Sequence, residues 1–327
     1  MISNAWIAGG EGFIGRHLAE CLSRRGSGSI ASIDLTEGSR ETGAARRFSK
    51  GDVRDAATMP APSGCDAIFN LAAVHRTPGH PAGEYFETNI RGAENICEIA
   101  RRADVRTIVF TSSIAPYGAA EELKAEETLP TPNTPYGISK LVAEHIHRTW
   151  QAEDAARRRL VIVRPGVVFG KGERGNVTRL YWALRRRRFA YPGRKDTVKA
   201  CIYVKDLARL LVEMAERPEP GVFVYNMTYE PAPDIREICE TLARVTGVAA
   251  PKLMIPGGLL KTAASLLGAA NATGLAGEGV HPDRVRKLMV SNNISGAKLV
   301  RDGYRLEFSL EEAFADWRRD CGGDGLA

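Results

Sequence analysis

The chain has 327 residues, enough for one large domain or two, and its 44% hydrophobic and 26% charged content excludes a disordered or fibrous protein. The net charge of +6 suits a small phosphorylated substrate, and the arginine runs at 157–159 and 185–188 read as solvated helix faces, because no nucleic-acid motif or interleaved aromatics accompany them. Cys21, Cys65, Cys97, Cys201, Cys239 and Cys321 lack C-x-x-C spacing and paired histidines, which points to reduced thiols, no metal and a cytoplasmic protein; no basic leader and no stretch of ~18 apolar residues marks export or a membrane span.

Residues 5–8 read as a short buried strand. Gly9-Gly-Glu-Gly12-Phe-Ile-Gly15 follows, and then a helical pattern through Ile14, Leu18, Cys21 and Leu22. Glycines at 9, 12 and 15 permit a tight turn, close approach of backbone to a pyrophosphate, and close helix–strand packing, with the helix N-terminus facing the negative charge. A second strand, 29–33, ends at Asp34, whose carboxylate suits adenosine ribose hydroxyls and disfavours a 2′-phosphate. Arg40, Arg46 and Arg47 follow as the competing signal for a phosphate.

Residues 51–55 end a third strand and start a short helix, where Asp52 either reaches adenine or caps that helix. A fourth strand spans 67–73, and its last residues, Ala72 and Ala73, are small enough for a cofactor to lie close. Asn89 belongs to a helix continuing through Ile96, Ile99 and Ala100. A fifth strand, Thr107–Thr111, delivers Ser112 and Ser113 at its carboxyl end, where open parallel sheets bind ligands. The alternation predicts a doubly wound α/β sheet.

A polar loop with Glu121, Glu122, Glu126 and Glu127 leads to Tyr136-Gly-Ile-Ser-Lys140. On a helix the phenol and the ammonium lie on one face, one turn apart. A cation about 4 Å away at an effective dielectric of ~20 is worth roughly 4 kcal/mol, so Lys140 is expected to pull the phenol down from ~10 by up to about three pKa units. That would make Tyr136 an acid/base group. A sixth strand spans 160–163, and helix 177–188 and a basic irregular stretch to Lys199 follow. Residues 202–206 open another strand and helix, 221–227 return to the sheet, and helices fill 234–246, 257–276 and 309–319. Ser309 and Glu312 form a capping box, and 322–327 read as a frayed tail. Helix 257–276 is apolar enough for a membrane-surface role in handling a lipid-linked substrate, but reads first as a packed pair or lid.

Taken together, Gly9-x-x-Gly12-x-x-Gly15, Asp34, Asp52-Val53, Leu71-Ala-Ala73, Asn89, Thr111-Ser-Ser113-x-x-x-Tyr-Gly118, Tyr136-x-x-x-Lys140, Arg164-Pro-Gly-Val-Val-Phe-Gly170 and Tyr203-Val-x-Asp206 resemble the extended short-chain dehydrogenase/reductase family, in its NAD-dependent nucleotide-sugar epimerase/dehydratase branch. The resemblance implies a Rossmann-type NAD-binding domain, 1–168 with 200–228 returning to it. It implies a smaller, mostly helical substrate domain, 169–199 and 229–321, and a homodimer through the helices holding 89–100 and 136–150. NAD is implied to contact Gly9, Gly12, Phe13, Ile14, Asp34, Asp52, Val53, Leu71, Ala72, Ala73, Asn89, Thr111, Tyr136, Lys140 and Pro165. Ser113, Tyr136 and Lys140 are the implied catalytic residues, with Asn176, Lys199 and Arg284 joining Ser113 and Tyr136 on a nucleotide-sugar substrate. Arg286 is a further phosphate candidate.

Ser113-Ile114-Ala115 replaces the Thr-Asp-Glu of sugar-nucleotide 4,6-dehydratases, which argues against dehydration. The expected activity is C4 epimerisation of a nucleoside-diphosphate sugar. A 4-keto-sugar reductase or dehydrogenase is the alternative, and a cofactor-sensing protein without catalysis the third.

Overall fold

The computed structural model describes residues 1–38, 46–75, 79–256, 258 and 289–326. Strand β1 (Asn4–Ala8) and helix α1 (Phe13–Arg24) open the chain, followed by β2 (Ser29–Asp34), β3 (Arg46–Lys50), β4 (Ala67–Asn70), α2 (Ala82–Arg102) and β5 (Thr107–Thr111). A short β6 (Ala120–Lys124) precedes α3 (Pro135–Ala152), β7 (Arg159–Pro165) and β8 (Val167–Phe169). Then come α4 (Asn176–Arg185), β9 (Tyr191–Pro192), β10 (Cys201–Tyr203), α5 (Val204–Ala215) and β11 (Gly221–Met227). The C-terminal part holds α6 (Ile235–Thr246), β12 (Met254–Ile255), β13 (Asn292–Ile294), α7 (Ala297–Arg301) and α8 (Leu310–Asp320).

Among the described residues, seven strands form one parallel sheet in the order β11-β7-β5-β4-β1-β2-β3. The apolar runs of β4 and β7 are buried throughout, as strands covered on both faces require. Strand order reverses between β1 and β4, so their carboxyl ends open the crevice where such sheets take ligands. The two faces carry separate cores: Leu18 and Leu22 of α1 meet Leu207, Leu211 and Met214 of α5 on one, and Ile96 and Ala100 of α2 join Ala143 and Trp150 of α3 on the other.

A third cluster, with Phe169, Tyr181, Leu184, Tyr203, Leu242, Phe314 and Trp317, binds α4, α6 and α8 together. Asp206 of α5 ties the segment before α8 to its own helix: its buried carboxylate accepts from the Glu307 and Phe308 amides at 2.7 and 3.3 Å, while the Tyr203 hydroxyl donates to Asp316 of α8 at 2.6 Å.

Several expectations change. Residues 120–124 form β6 rather than a loop, paired in parallel with β13; the partner lies far along the chain, and a polar edge strand shows no local apolar alternation. The fourth strand ends at Asn70, short of Ala73. The end of the chain is packed: the Arg318 Nε donates to the Gly323 carbonyl at 2.7 Å, and Leu326 is buried in the third cluster. The Ser309–Glu312 capping box is present. Most of the apolar segment 257–276, together with Arg40, Arg284 and Arg286, lies outside the described residues. All six cysteines are free thiols, and no helix among the described residues is long and apolar enough to cross a membrane.

Candidate active site

The first glycine turn sits at the β1–β4 crevice. Gly9 has φ +76°, and a Cβ there would lie 2.8 Å from the Ala72 amide nitrogen, so the turn and the end of β4 are in contact. Only glycine meets both demands. Gly12 precedes α1 with no side chain capping it, which leaves the amides of the first helical turn facing the crevice. The Phe13 and Ile14 side chains pack against the third and first clusters. Asp34 closes β2, accepting from the Glu11 amide at 3.0 Å and from its neighbour Leu35 at 2.8 Å.

Glu11 is a residue the sequence reading passed over. It sits inside the glycine motif, accepts from the Ser32 hydroxyl at 2.5 Å and the Gly38 amide at 3.1 Å, and forms a buried ion pair with Arg46. Arg46, a competing signal for a phosphate, is thereby paired with a carboxylate.

Helix α3 carries the phenol and the ammonium. Thr134 caps it, accepting from the Gly137 amide at 3.1 Å, with Pro135 at its first position. A Cβ on Gly137 would meet the Ala115 carbonyl at 2.7 Å, so this glycine lets the helix press against the 115–117 turn beside Ser113. The Ser113 side chain lies beside the Tyr136 phenol and acts to lower its pKa. Lys140, 2% exposed, donates to the Thr111 carbonyl at 2.9 Å.

The electrostatics correct one expectation. Burial pushes the Tyr136 phenol up to about 12 and nearby Tyr85 adds to the rise, with only Ser113 pulling it down. Burial lowers the Lys140 ammonium to about 7, with Glu144 working against the fall. The Lys140 nitrogen is directed at a backbone carbonyl of β5, and desolvation of both groups outweighs the helical-face attraction.

Behind Lys140 the same helical face continues with Glu144, His147 and Gln151, all buried. Arg164 of β7 grips Glu144 with two hydrogen bonds, 2.9 and 2.6 Å, and Ser112 adds a third at 2.6 Å. Arg164 also donates to Tyr117 at 2.7 Å, and Tyr117 to Asn226 at 2.9 Å. Although burial opposes it, Glu144 and Tyr117 hold the Arg164 pKa above its ordinary value. The spacing already contained this: Glu144 follows Lys140 by four residues, as Lys140 follows Tyr136.

His147 stacks on Phe110, donates through Nδ1 to the Ala143 carbonyl at 2.7 Å, and meets the Asn70 amide at 3.3 Å. Burial depresses it from 6.5 to about 4. The unfolded chain therefore binds more protons between these values, and stability present above about pH 6.5 is lost as pH falls towards 4, by about 2–3 kcal/mol at pH ~4.5. In urea unfolding across that window, His147→Gln should show the shallower pH slope, by up to one proton; equal slopes would refute the assignment.

The other singled-out residues divide. Leu71 and Ala72 lie against Gly9. Asn89 spends its carboxamide on Val74 (2.9 and 3.1 Å) and on the Ser139 hydroxyl (2.8 Å), and so clamps the segment after β4 to α3. Asp52 is bound to Arg54 at 2.7–3.0 Å, and Asp55 rather than Asp52 caps the short helical turn. Val53 belongs to the core beneath Gly92, and the Pro165 carbonyl accepts from the Ile114 amide at 3.2 Å. The Thr111 hydroxyl is buried without a partner. Asn176 is the exposed first residue of α4. Lys199 donates to the Val290 carbonyl at 2.7 Å, and burial lowers its ammonium to about 8.

With this geometry in place, residues 5–227 match the family model described as NAD dependent epimerase/dehydratase family. The chain belongs to that family. Among curated relatives, an N-acetyl-alpha-D-glucosaminyl-diphospho-ditrans,octacis-undecaprenol 4-epimerase of Escherichia coli O157:H7 is 28% identical over 259 residues, 78% of this chain and 76% of its own. A UDP-glucose 4-epimerase of Streptomyces lividans is 29% identical over 277 residues, 76% of this chain and 83% of its own. The solved UDP-glucose 4-epimerase of Brucella ovis in complex with NAD shares the fold, with TM-score 0.75 and 22% identity over 98% of both chains. Epimerase/dehydratase family members are NAD dependent, and the residues present fit that cofactor. A Cβ on Gly9 would fill the turn, the first amides of α1 are uncapped, and Asp34 sits at the end of β2 where ribose hydroxyls bind in such sheets.

Proposed function

We propose that the protein is an NAD-dependent C4 epimerase of a nucleoside-diphosphate sugar, of the UDP-hexose or UDP-N-acetylhexosamine type. One observation carries the reading: Ser113 after the carboxyl end of β5 lies beside the Tyr136 phenol, with Lys140 buried one turn further along α3. The activities named for the relatives, 4-epimerases of a diphospho-undecaprenol-linked sugar and of UDP-glucose, support it.

NAD, when bound, supplies the hydride acceptor and a ring that is positive in the oxidised form. As a phenolate, the Tyr136 Oη would take the proton from the sugar C4 hydroxyl as hydride leaves C4, and Ser113 would hydrogen-bond the same oxygen. Lys140 keeps two N–H donors beyond the one on Thr111, which suit the nicotinamide ribose. The 4-keto sugar presents its opposite face while its diphosphate stays anchored, the role proposed for Asn176, Lys199 and Arg284. Tyr136 would then return the proton to the C4 oxygen as the hydride comes back to the opposite face of C4. Asp34 holds the adenosine ribose, and Glu11 beside it adds a second carboxylate against a 2′-phosphate.

Residues 1–168 with 200–228 form the proposed NAD-binding part, and 169–199 with 229–321 the substrate-binding part. A homodimer across the outer faces of α2 and α3 is supported by Phe86 and Ile138, exposed by 37% and 40%. Free thiols are in keeping with a cytoplasmic setting.

Protein purified without added cofactor should carry NAD by mass spectrometry. It should also interconvert UDP-glucose with UDP-galactose, or the N-acetylhexosamine pair, without added coenzyme. Net NADH formation with an oxidised sugar would identify a dehydrogenase instead, and no turnover across the panel would sink the enzyme reading.

A further inference from the structure

The two arginine runs of this chain have different surroundings. Arg157, Arg158 and Arg159 are each paired with a carboxylate: Asp154 at 2.5 Å, Glu153 at 2.8 Å and Glu219 at 3.8 Å. Arg185, Arg186, Arg187 and Arg188, with Arg179 one and a half turns earlier on α4, are exposed, and among the described residues none of them has an ion pair. Half-buried Trp182 lies between them, with the Arg185 and Arg186 guanidinium carbons 5.1 and 5.5 Å from its ring centre. An open groove of about 370 Å³ runs along Arg179, Trp182, Ala183, Arg186 and Arg188.

Three residues beyond Arg188 the chain enters β9, which hydrogen-bonds β12: the Tyr191 amide donates to the Leu253 carbonyl and the Gly193 amide to the Ile255 carbonyl, both at 2.9 Å. Leu253, just before β12, is 73% exposed, and Met254 and Ile255 of β12 are 51% and 39% exposed. An uncompensated basic cluster, an indole and an apolar strand therefore adjoin one another on the surface.

We propose that the C-terminal end of α4 and the β9–β12 pair form a docking face for an anionic lipid bilayer. Charge complementarity selects the partner: unpaired guanidinium groups are attracted to anionic headgroups, and the attraction fades with salt. The apolar edge separates a bilayer from a nucleic acid, because phosphate contacts give no return for exposed Leu253 and Met254, whereas an interface buries them and places the indole at headgroup level. Asn176 and Arg185 are the two ends of α4, about 14 Å apart at 1.5 Å per residue. A docked protein thus holds Asn176, the proposed diphosphate anchor, one helix length from the lipid. That consequence rests on the function proposed above; the docking does not.

The full chain is tested by co-sedimentation with vesicles of phosphatidylcholine alone or with about 30 mol% phosphatidylglycerol, at low and high salt. It should pellet with the anionic vesicles only and be released by salt. Arg185→Ser/Arg186→Ser/Arg188→Ser should lower partitioning on the order of a hundredfold, at about fivefold per arginine, with an unchanged melting curve and unchanged turnover of a soluble UDP-sugar. Leu253→Ser/Met254→Ser should weaken the low-salt binding to anionic vesicles although every arginine is kept. Protein left in the supernatant with both vesicle types overturns the proposal, as does a triple variant that pellets like the parent. Tighter binding to a DNA duplex than to the vesicles would assign the face to nucleic acid instead. Vesicle binding is read without turnover, so loss of docking and loss of the epimerase reading are separately visible.

Discussion

Tyr136→Phe should lower kcat for sugar interconversion by ~10²–10⁴-fold and leave the NAD content of the purified protein unchanged. The substitution removes only the phenolic oxygen. The ring, which packs 6.2 Å from Tyr85, and the α3 backbone are preserved. A group that moves the proton in the transition state affects kcat and kcat/KM together, whereas a mere binding contact would show in KM. Because burial holds the phenol at about 12, the protein without positive charge near this oxygen keeps Tyr136 protonated at neutral pH. The oxidised cofactor, when bound, would supply the positive charge that Lys140 was expected to supply alone. A Phe variant that retains activity within tenfold of the parent would remove Tyr136 from the mechanism.

Glu144→Gln should destabilise the protein by about 3–5 kcal/mol, seen as a lower urea midpoint, because the Arg164 guanidinium would remain buried without its counter-charge. Glu144 and Arg164 side chains are 1% and 4% exposed, so water cannot take over the lost interaction. The double variant Glu144→Leu/Arg164→Leu removes both charges and should recover part of that loss, since the desolvation cost disappears with them. Equal midpoints for Glu144→Gln and the parent protein would show that the pair is not held in the ionised, dry form described here. Lys140 lies one turn from Glu144 and its ammonium is lowered by burial, so the single variant should depress it further.

Local chemistry made much of this legible. The Gly9–Gly15 turn, the strand ending at Asp34, the carboxyl-end placement of Ser113 and the shared face of Tyr136 and Lys140 are each short-range consequences of backbone geometry. In the structure the Gly9 turn lies against Leu71 and Ala72, Asp34 ends β2, and Ser113 lies beside Tyr136. β6 was illegible because a polar strand in a two-stranded edge pair has no burial pattern to betray it. Leu326 was illegible because a glycine-rich tail reads as disordered until a hydrophobic cluster is there to receive its last side chain.

The amino-acid order by itself determined the alternating strand and helix pattern, the glycine turn and the face that carries the phenol and the ammonium, since these depend on φ, ψ and side-chain periods of 2 and 3.6 residues. Only the tertiary structure decided in which direction burial moves the pKa of those groups. Desolvation and the placement of Thr111, Glu144 and Arg164 depend on strands brought together from distant parts of the chain, and no local pattern encodes how dry a site will be.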